Sequence, residues 1–368
     1  MKFSCEKYLL QAACNTASRA AASKSPIPAL EGLMLSAEDR LFVKGYDLRK
    51  AIVTAVDADI AERGTIVVGA RLFGEMMRRM PDGIVTVTCD EKDKLSVTCG
   101  KSAFNIMGIS AADYPELPKF DTLNVLTLPQ RLLKDMINKT LFAVSTDEVR
   151  PIYTGTLFEV SEEELTLVSV DGYRLAKRTE HLKDIRLEPC SFVVPGTALS
   201  DVEKVCADED GNVQIAVGEK HISFTLENTT VISRRLEGEF LNYRRSIPEV
   251  FKYEIGIDRD EFMSSIDRVS LIVSEKNSSP VRVTVHDGLI HLLCVTPLGR
   301  AEDVCTCEGN GEDLLIGFND RYMKDALRAA ANDKLLFCLN SASAPCVLKA
   351  ADGSDAFTYM VLPVRLHA

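Results

Sequence analysis

Three stretches of this 368-residue chain carry the same features in the same order, at a period of roughly 125 residues. That interval is domain-sized, far longer than the about 20–50 residues of a stacking repeat. The first stretch opens with an amphipathic segment, Glu6–Arg19. It passes through Leu41–Leu48 and Val67-Val68-Gly69-Ala70 into a helix, Arg71–Met80. Strands follow near Ile84–Cys89, near Leu95–Cys99 and around Phe104-Asn105-Ile106, and the stretch closes at Tyr114-Pro115-Glu116-Leu117. The second begins at Leu128–Arg131 with a helix to about Thr140. It continues through Leu165–Gly172, Phe192–Pro195, a helix Thr197–Cys206 and strands near Val213–Val217 and His221–Leu226, ending at Phe240–Tyr243. The third runs from Asp258–Phe262 through Leu289–Val295, Leu314–Gly317, a helix Asp320–Ala331 and strands near Leu335–Leu339 and Cys346–Ala350, to Tyr359–Leu366. The repeat predicts three similar α+β domains, 1–122, 125–249 and 252–368, each with two helices and about eight strands. Linkers are expected near Phe120–Asn124 and Val250–Lys252. Alternating apolar and polar residues in the strands predict antiparallel sheets with one polar face.

Charge divides the chain differently. The net charge is −11, which excludes a nucleic-acid binder held by bulk positive charge. Residues 1–123 carry 16 basic and 16 acidic residues, 124–250 carry 15 and 21, and 251–368 carry 12 and 17. On a helical wheel at about 100° per residue, three helices nevertheless show one register. Leu72, Phe73, Met76, Met77 and Met80 form an apolar stripe opposite Arg71, Arg78 and Arg79. Leu132, Leu133, Met136 and Ile137 lie opposite Arg131 and Lys134, with Lys139 at the edge. Tyr322, Met323, Ala326 and Leu327 lie opposite Arg321, Lys324 and Arg328. A solvated helix face explains any one of these. Three related helices with the same sign, in an acidic chain, point to a shared surface that meets phosphate without reading sequence.

Other classes are disfavoured. No apolar run approaches the ~18 residues of a spanning helix, and the N-terminus MKFSCEKYLLQAACN has charges inside its apolar stretch, unlike a secretory leader. A cytoplasmic location is expected, with no membrane partner. The eleven cysteines are odd in number, contain no CxxC and sit mostly among Val, Leu and Ala, as reduced core residues do. Phosphate-loop, dinucleotide, zinc-protease and nucleophile-elbow motifs are missing. His181, His221, His286, His291 and His367 are scattered, and His286 and His291 flank an apparent Asp287-Gly288 turn. The acidic pairs Glu162–Glu164 and Asp208–Asp210 sit in turn-like segments without an organised partner. The chain is read as non-enzymatic, with no cofactor and no metal.

Several segments resemble the bacterial sliding clamp family, the β subunit of DNA polymerase III. They are Lys24–Pro28, Ala112–Pro115, Phe142–Pro151, Val170–Ala176 and Leu362–Leu366, and their order and spacing extend over the whole length. The resemblance implies three repeated clamp domains per chain and a head-to-tail homodimer closed into a ring around double-stranded DNA, with helices lining the hole. It implies sequence-independent DNA contact by Lys24, Arg71, Arg78, Arg79, Arg131, Lys134, Arg321, Lys324 and Arg328, with Lys204 and Lys276 as weaker candidates. An acidic outer wall would limit non-specific sticking.

The family's second site is an apolar cleft that takes short peptides from the DNA polymerase III alpha subunit, the clamp loader and other clamp-motif proteins. Matching positions are Arg150, Tyr153, Asp171, Gly172, Tyr173, Arg174, Leu175, Leu241, Arg245, Ser246, Met360, Val361, Leu362, Pro363, Val364, Arg365 and Leu366. An aliphatic pocket would anchor Leu or Phe, with Arg or backbone groups on the peptide's polar atoms. Phe104 and Ile106 match one side of the subunit joint, and Leu271 and Ile272 match the other. The chain departs from the family in four places. Tyr173 stands where His is common, and Leu241 where Pro is. Gly196-Thr197 follows Pro195 in place of a basic pair, and His367-Ala368 extend the usual Arg-Leu end. Two other readings compete: a monomeric peptide-binding scaffold, and an enzyme with a cysteine nucleophile.

Overall fold

The computed structural model describes residues 1–118, 125–182, 188–208, 210–273 and 279–366. The expected linker at Phe120–Asn124, Lys276 and the His367-Ala368 extension lie outside the described residues.

The first repeat runs β1 (Lys2–Glu6), α1 (Lys7–Ala17), β2 (Gly32–Ala37), β3 (Leu41–Tyr46), β4 (Lys50–Val56), β5 (Asp59–Glu62), β6 (Gly64–Gly69), α2 (Ala70–Arg79), β7 (Ile84–Cys89), β8 (Lys94–Cys99) and β9 (Ser102–Met107). The second runs β10 (Val125–Pro129), α3 (Gln130–Asn138), β11 (Gly155–Val160), β12 (Glu164–Val170), β13 (Arg174–His181), β14 (Cys190–Pro195), α4 (Gly196–Val205), β15 (Asn212–Val217), β16 (His221–Thr225) and β17 (Thr229–Arg234). The third runs β18 (Tyr253–Asp258), α5 (Arg259–Ser270), β19 (Val281–His286), β20 (Leu289–Thr296), β21 (Gly299–Glu308), β22 (Leu315–Phe318), α6 (Asp320–Ala329), β23 (Lys334–Leu339), β24 (Cys346–Ala350) and β25 (Phe357–Val361). The described residues thus give each repeat two helices. The helices expected at Arg71, Thr197 and Arg131 each begin one residue earlier.

By contacts the chain forms two compact units. Residues 1–134 with 197–235 make one, and 135–196 with 236–368 make the other. The first unit holds a five-stranded sheet, β5-β1-β7-β8-β9, and an eight-stranded sheet, β10-β15-β16-β17-β4-β3-β2-β6. The second holds twelve strands, β14-β11-β12-β13-β25-β24-β23-β18-β21-β20-β19-β22. The pairings are antiparallel, as in β1 with β7, β17 with β4 and β13 with β25. Alternation sets which side chains are buried: in β8, Leu95, Val97 and Cys99 face the core and the residues between them do not. In the first unit, Leu10, Cys14, Phe73 and Met77 of the helices pack with Leu33, Leu35, Val85 and Val97 of the strands.

Short polar residues mark the element ends. Asp258 caps α5 by accepting from the Glu261 N–H at 3.0 Å, and Asn319 caps α6 by accepting from Arg321 and Tyr322, as helix N-termini require. Asp287 (φ 44°) and Gly288 (φ 76°) form the two-residue turn between β19 and β20, a left-handed pair suited to a tight hairpin.

Candidate DNA-facing helices and peptide cleft

Strongly amphipathic helices carry the candidate phosphate contacts. On α2, Phe73, Met76 and Met77 are buried while Arg71, Arg78 and Arg79 are exposed. Leu72 corrects the wheel. It sits at the edge of the stripe and is 56% exposed, beside a groove of about 520 Å³ lined with Pro28, Ile109 and Arg71. Glu75 holds Arg78 at 2.6 Å and Arg79 at 3.3 Å, and these contacts keep the Glu75 carboxyl below its usual pKa. Arg71, Arg131 and Arg321 are exposed, with no ion-pair partner among the described residues. Lys24 is exposed on the loop before β2.

Two lysines differ from the expected open cations. Lys134 is held by Asp208 at 2.8 Å, a contact that raises its pKa. Lys324 is drawn against Asp320 at 2.9 Å and Asp267 at 3.3 Å, with its ammonium also donating to Ser270. The acids lie within one turn or on a neighbouring element, so a wheel built from the lysine's own helix does not show the full pairing. Arg328 is half-exposed and lies 3.5 Å from Asp325.

The cleft candidates gather in the second unit, where β13 meets β25. Leu175 pairs with Met360 and Arg174 with Val361, and the Leu362 N–H donates to the Tyr173 carbonyl at 2.8 Å. Beneath this joint lies an apolar cluster that includes Leu157, Val170, Leu175, Val347 and Met360, rimmed by half-buried Tyr153 and Phe240. The Tyr153 and Phe240 rings meet edge to face at 5.7 Å. Tyr173 is 62% exposed; Leu241 and Val364 are also exposed, as are Arg150, Arg245 and Arg365. Ser246, Leu362, Pro363 and Leu366 are half-buried. Leu175, Met360 and Val361 are buried and act as floor rather than open wall. Ile152, Phe240, Ile247 and Val347 belong to the same cluster. Sequence reasoning missed them because an apolar residue in a short loop or strand gives no sign of which core it joins.

Asp171 and Arg174 also depart from expectation. The Asp171 carboxylate accepts from the Tyr173 and Arg174 backbone N–H groups at 2.9 and 3.0 Å and from the Arg174 side chain at 2.9 Å. Gly172 takes the turn's left-handed φ, 92°, without the steric cost a side chain would add. The Arg174 guanidinium also donates to Asp325 at 2.6 Å and lies 4.5 Å from the Tyr322 ring centre and 5.5 Å from that of Phe142. It is buried and committed to these partners, so it frames the cleft rather than reaching into it.

The joint candidates lie at open strand edges and a helix end. Among the described residues, β9 pairs only with β8, and Gly299–Thr306 pair only with β20. Phe104 is 39% exposed on β9, and Leu271 is 83% exposed just after α5. Ile106 and Ile272 pack half-buried against their own cores.

Among the described residues no disulfide joins the cysteines. Burial pushes Cys5 and Cys305 up to about 12 and Cys206 and Cys338 up to about 11, so these thiols stay protonated. Among the described residues, no three His, Cys, Asp or Glu side chains are placed to hold a metal, and no helix is long and apolar enough to cross a membrane.

Comparison with known proteins matches the repeats in order. Residues 1–118 match the N-terminal domain of the DNA polymerase III beta subunit, 127–242 its central domain and 244–365 its C-terminal domain. A beta sliding clamp of Staphylococcus aureus is 30% identical over 378 residues, covering 100% of both chains. The DNA polymerase sliding clamp of Bacillus subtilis superposes with a TM-score of 0.95 at 29% identity, covering 100% of each chain. The DNA polymerase III beta subunit of Pseudomonas aeruginosa gives 0.93 at 27%, again over 100% of each. The repeated fold is that of a DNA-tethering clamp, and the chain belongs to the DNA polymerase III beta subunit family, the bacterial sliding clamps. Its function is that of a DNA sliding clamp, a non-catalytic processivity factor in DNA replication.

Proposed function

We propose that two copies of this chain join head to tail into a closed ring around duplex DNA. In this reading the three repeats act as domains 1–122, 125–249 and 252–368. β9 with Phe104 and Ile106 of one copy meets Leu271, Ile272 and the open edge of β21 on the other. The observation that carries the reading is that, among the described residues, β9 in the first repeat and Gly299–Thr306 in the third each keep one edge without a partner strand. Such edges invite pairing, and a heterologous contact closes when two copies complete the circle.

Arg71, Arg131 and Arg321 lead the DNA-facing set, supported by Lys24, Arg78, Arg79 and Arg328. Lys134 and Lys324 contribute less, because nearby carboxylates already take much of their charge. Contacts of this kind are weak and sequence-independent, which suits a ring that slides. The apolar cluster under β13 and β25 takes short peptides from the polymerase α subunit, the clamp loader and other clamp-motif proteins in the cytoplasm. Tyr153, Tyr173, Leu241 and Val364 offer apolar contact there, and Arg150 and Arg245 offer charge.

The test is retention on DNA. Loaded on a closed circular duplex, the protein is expected to remain through gel filtration and to leave once the circle is cut. Arg71→Glu with Arg321→Glu should weaken retention while leaving the melting temperature unchanged. Equal dissociation from circular and linear DNA would refute the ring.

A further inference from the structure

We propose that Asp325 and Tyr322 of α6 are positioning residues for the cleft loop Asp171–Arg174, and that they couple phosphate at Arg328 to peptide affinity in the cleft. The inference rests on the cleft and DNA-facing assignments of the preceding section and adds a physical link between them.

The link is one shared carboxylate. One oxygen of Asp325 accepts from Arg174 at 2.6 Å, and the other lies 3.5 Å from the Arg328 guanidinium. Arg174 in turn holds Asp171, whose other oxygen fixes the Tyr173 and Arg174 backbone N–H groups. The Arg174 guanidinium lies over the Tyr322 ring at 4.5 Å, and the Tyr173 and Tyr322 rings stack at 6.2 Å. The exposed aromatic of the cleft rim therefore rests on α6 through one ring contact and one chain of ion pairs. Groups facing Asp325 from α6 and β13 are thus Arg328, Arg174 and, through Arg174, Asp171.

The repeat supplies an internal comparison. In the first unit Lys50 stands at the position of Arg174 and pairs with Asp201 of α4, which corresponds to Asp325. Ala198 stands where Tyr322 does, and Arg49 where Tyr173 does, so the first unit has no counterpart of the stacked ring pair. Arg at 174 can bridge two carboxylates and stack on a ring at once, which Lys cannot. The second unit has gained this extra connection at the joint where the cleft rim is exposed.

Phosphate that engages Arg328 withdraws its charge from Asp325 and leaves that carboxylate wholly to Arg174. The loop then holds Tyr173 more firmly, and peptide binds more tightly. Linkage makes the effect reciprocal: bound peptide must strengthen the hold on phosphate by the same factor.

The experiment measures binding of a fluorescent short peptide bearing adjacent Leu and Phe to the full-length protein, with and without a short duplex at low salt. The wild-type chain should bind the peptide about 5-fold more tightly with duplex present. Asp325→Asn should bind it more weakly and lose the response to duplex, and Asp325→Glu should restore part of both. Tyr322→Ala, which leaves the ion pairs intact, should weaken binding at an unchanged melting temperature, and carries the test if Asp325→Asn fails to fold. A wild-type chain that binds no peptide overturns the cleft assignment and the link with it. A wild-type chain that binds peptide without a duplex response, or variants that match it in both measurements, overturns the link alone.

Discussion

The same joint is built twice in this chain, once in each compact unit. In the first, β4 pairs with β17, aligning Ala51 with Ile232; in the second, β13 pairs with β25, aligning Leu175 with Met360. Each is preceded by the same turn. Asp47 accepts from the Arg49 and Lys50 N–H groups at 2.8 and 2.7 Å, as Asp171 does from Tyr173 and Arg174. The turn residue has positive φ in both, Leu48 at 72° and Gly172 at 92°. The basic residue that follows reaches an acid on a helix: Lys50 to Asp201, Arg174 to Asp325.

The surroundings then diverge. In the first unit Leu30, Tyr46, Ala51, Val67 and Tyr114 form a buried cluster, with Tyr114 donating to the Lys44 carbonyl at 3.4 Å. In the second unit the equivalent cluster reaches a rim where Tyr173, Leu241 and Val364 stay exposed. One copy of the motif is closed and structural; the other keeps apolar surface available. A repeated fold can thus leave one of its own joints with exposed apolar surface while keeping the same sheet pairing.

Substitutions that exchange features between the joints should break this contrast. The largest stability effect is expected from Lys50→Ala. It leaves Asp201, 8% exposed at its side chain, without its partner, at about 3 kcal/mol. Urea denaturation should show the loss while peptide affinity stays unchanged. Gly317→Val comes next. It installs the residue type found at Val67 and Val193, where the new Cβ would meet Leu366 at 2.6 Å and the Val364 carbonyl at 2.9 Å. The tail must lift, so peptide affinity should fall about 10-fold, or about 1.4 kcal/mol, with a smaller change in stability. Tyr173→Ala removes an exposed ring and should cost a few-fold in peptide affinity with no shift in melting temperature. The smallest effect concerns the thiols. The pKa values of Cys5 and Cys305 are raised by burial to about 12, so the reactive thiolate forms only as pH rises toward that value. At pH 8 the folded protein should react with a thiol reagent far more slowly than the unfolded chain.

Much of the fold was legible in the sequence because its signals are local. The 3.6-residue stripe of α2 and the alternation of β8 are each complete within a dozen residues, and the three-fold repetition confirmed them against one another. The site was less legible where charges meet across long separations. Nothing near Lys134 in sequence announces Asp208, and nothing near Arg174 announces Asp325. Arg174 reads as a peptide-binding cation in the string of residues, yet its two carboxylates and the Tyr322 ring consume it. Leu72 reads as core from the wheel alone, yet it is exposed and lines a groove with Pro28 and Ile109.

The central claim is that the β13–β25 joint is the open copy and the β4–β17 joint the closed one. A photoreactive short peptide bearing adjacent Leu and Phe, cross-linked to the full-length protein and mapped by mass spectrometry, tests it directly. Cross-links should fall on Tyr153, Tyr173, Leu241 and Leu362–Leu366 and be lost on competition with unlabelled peptide. Competable cross-links at Tyr46–Ala51 or Ile232 instead would contradict it.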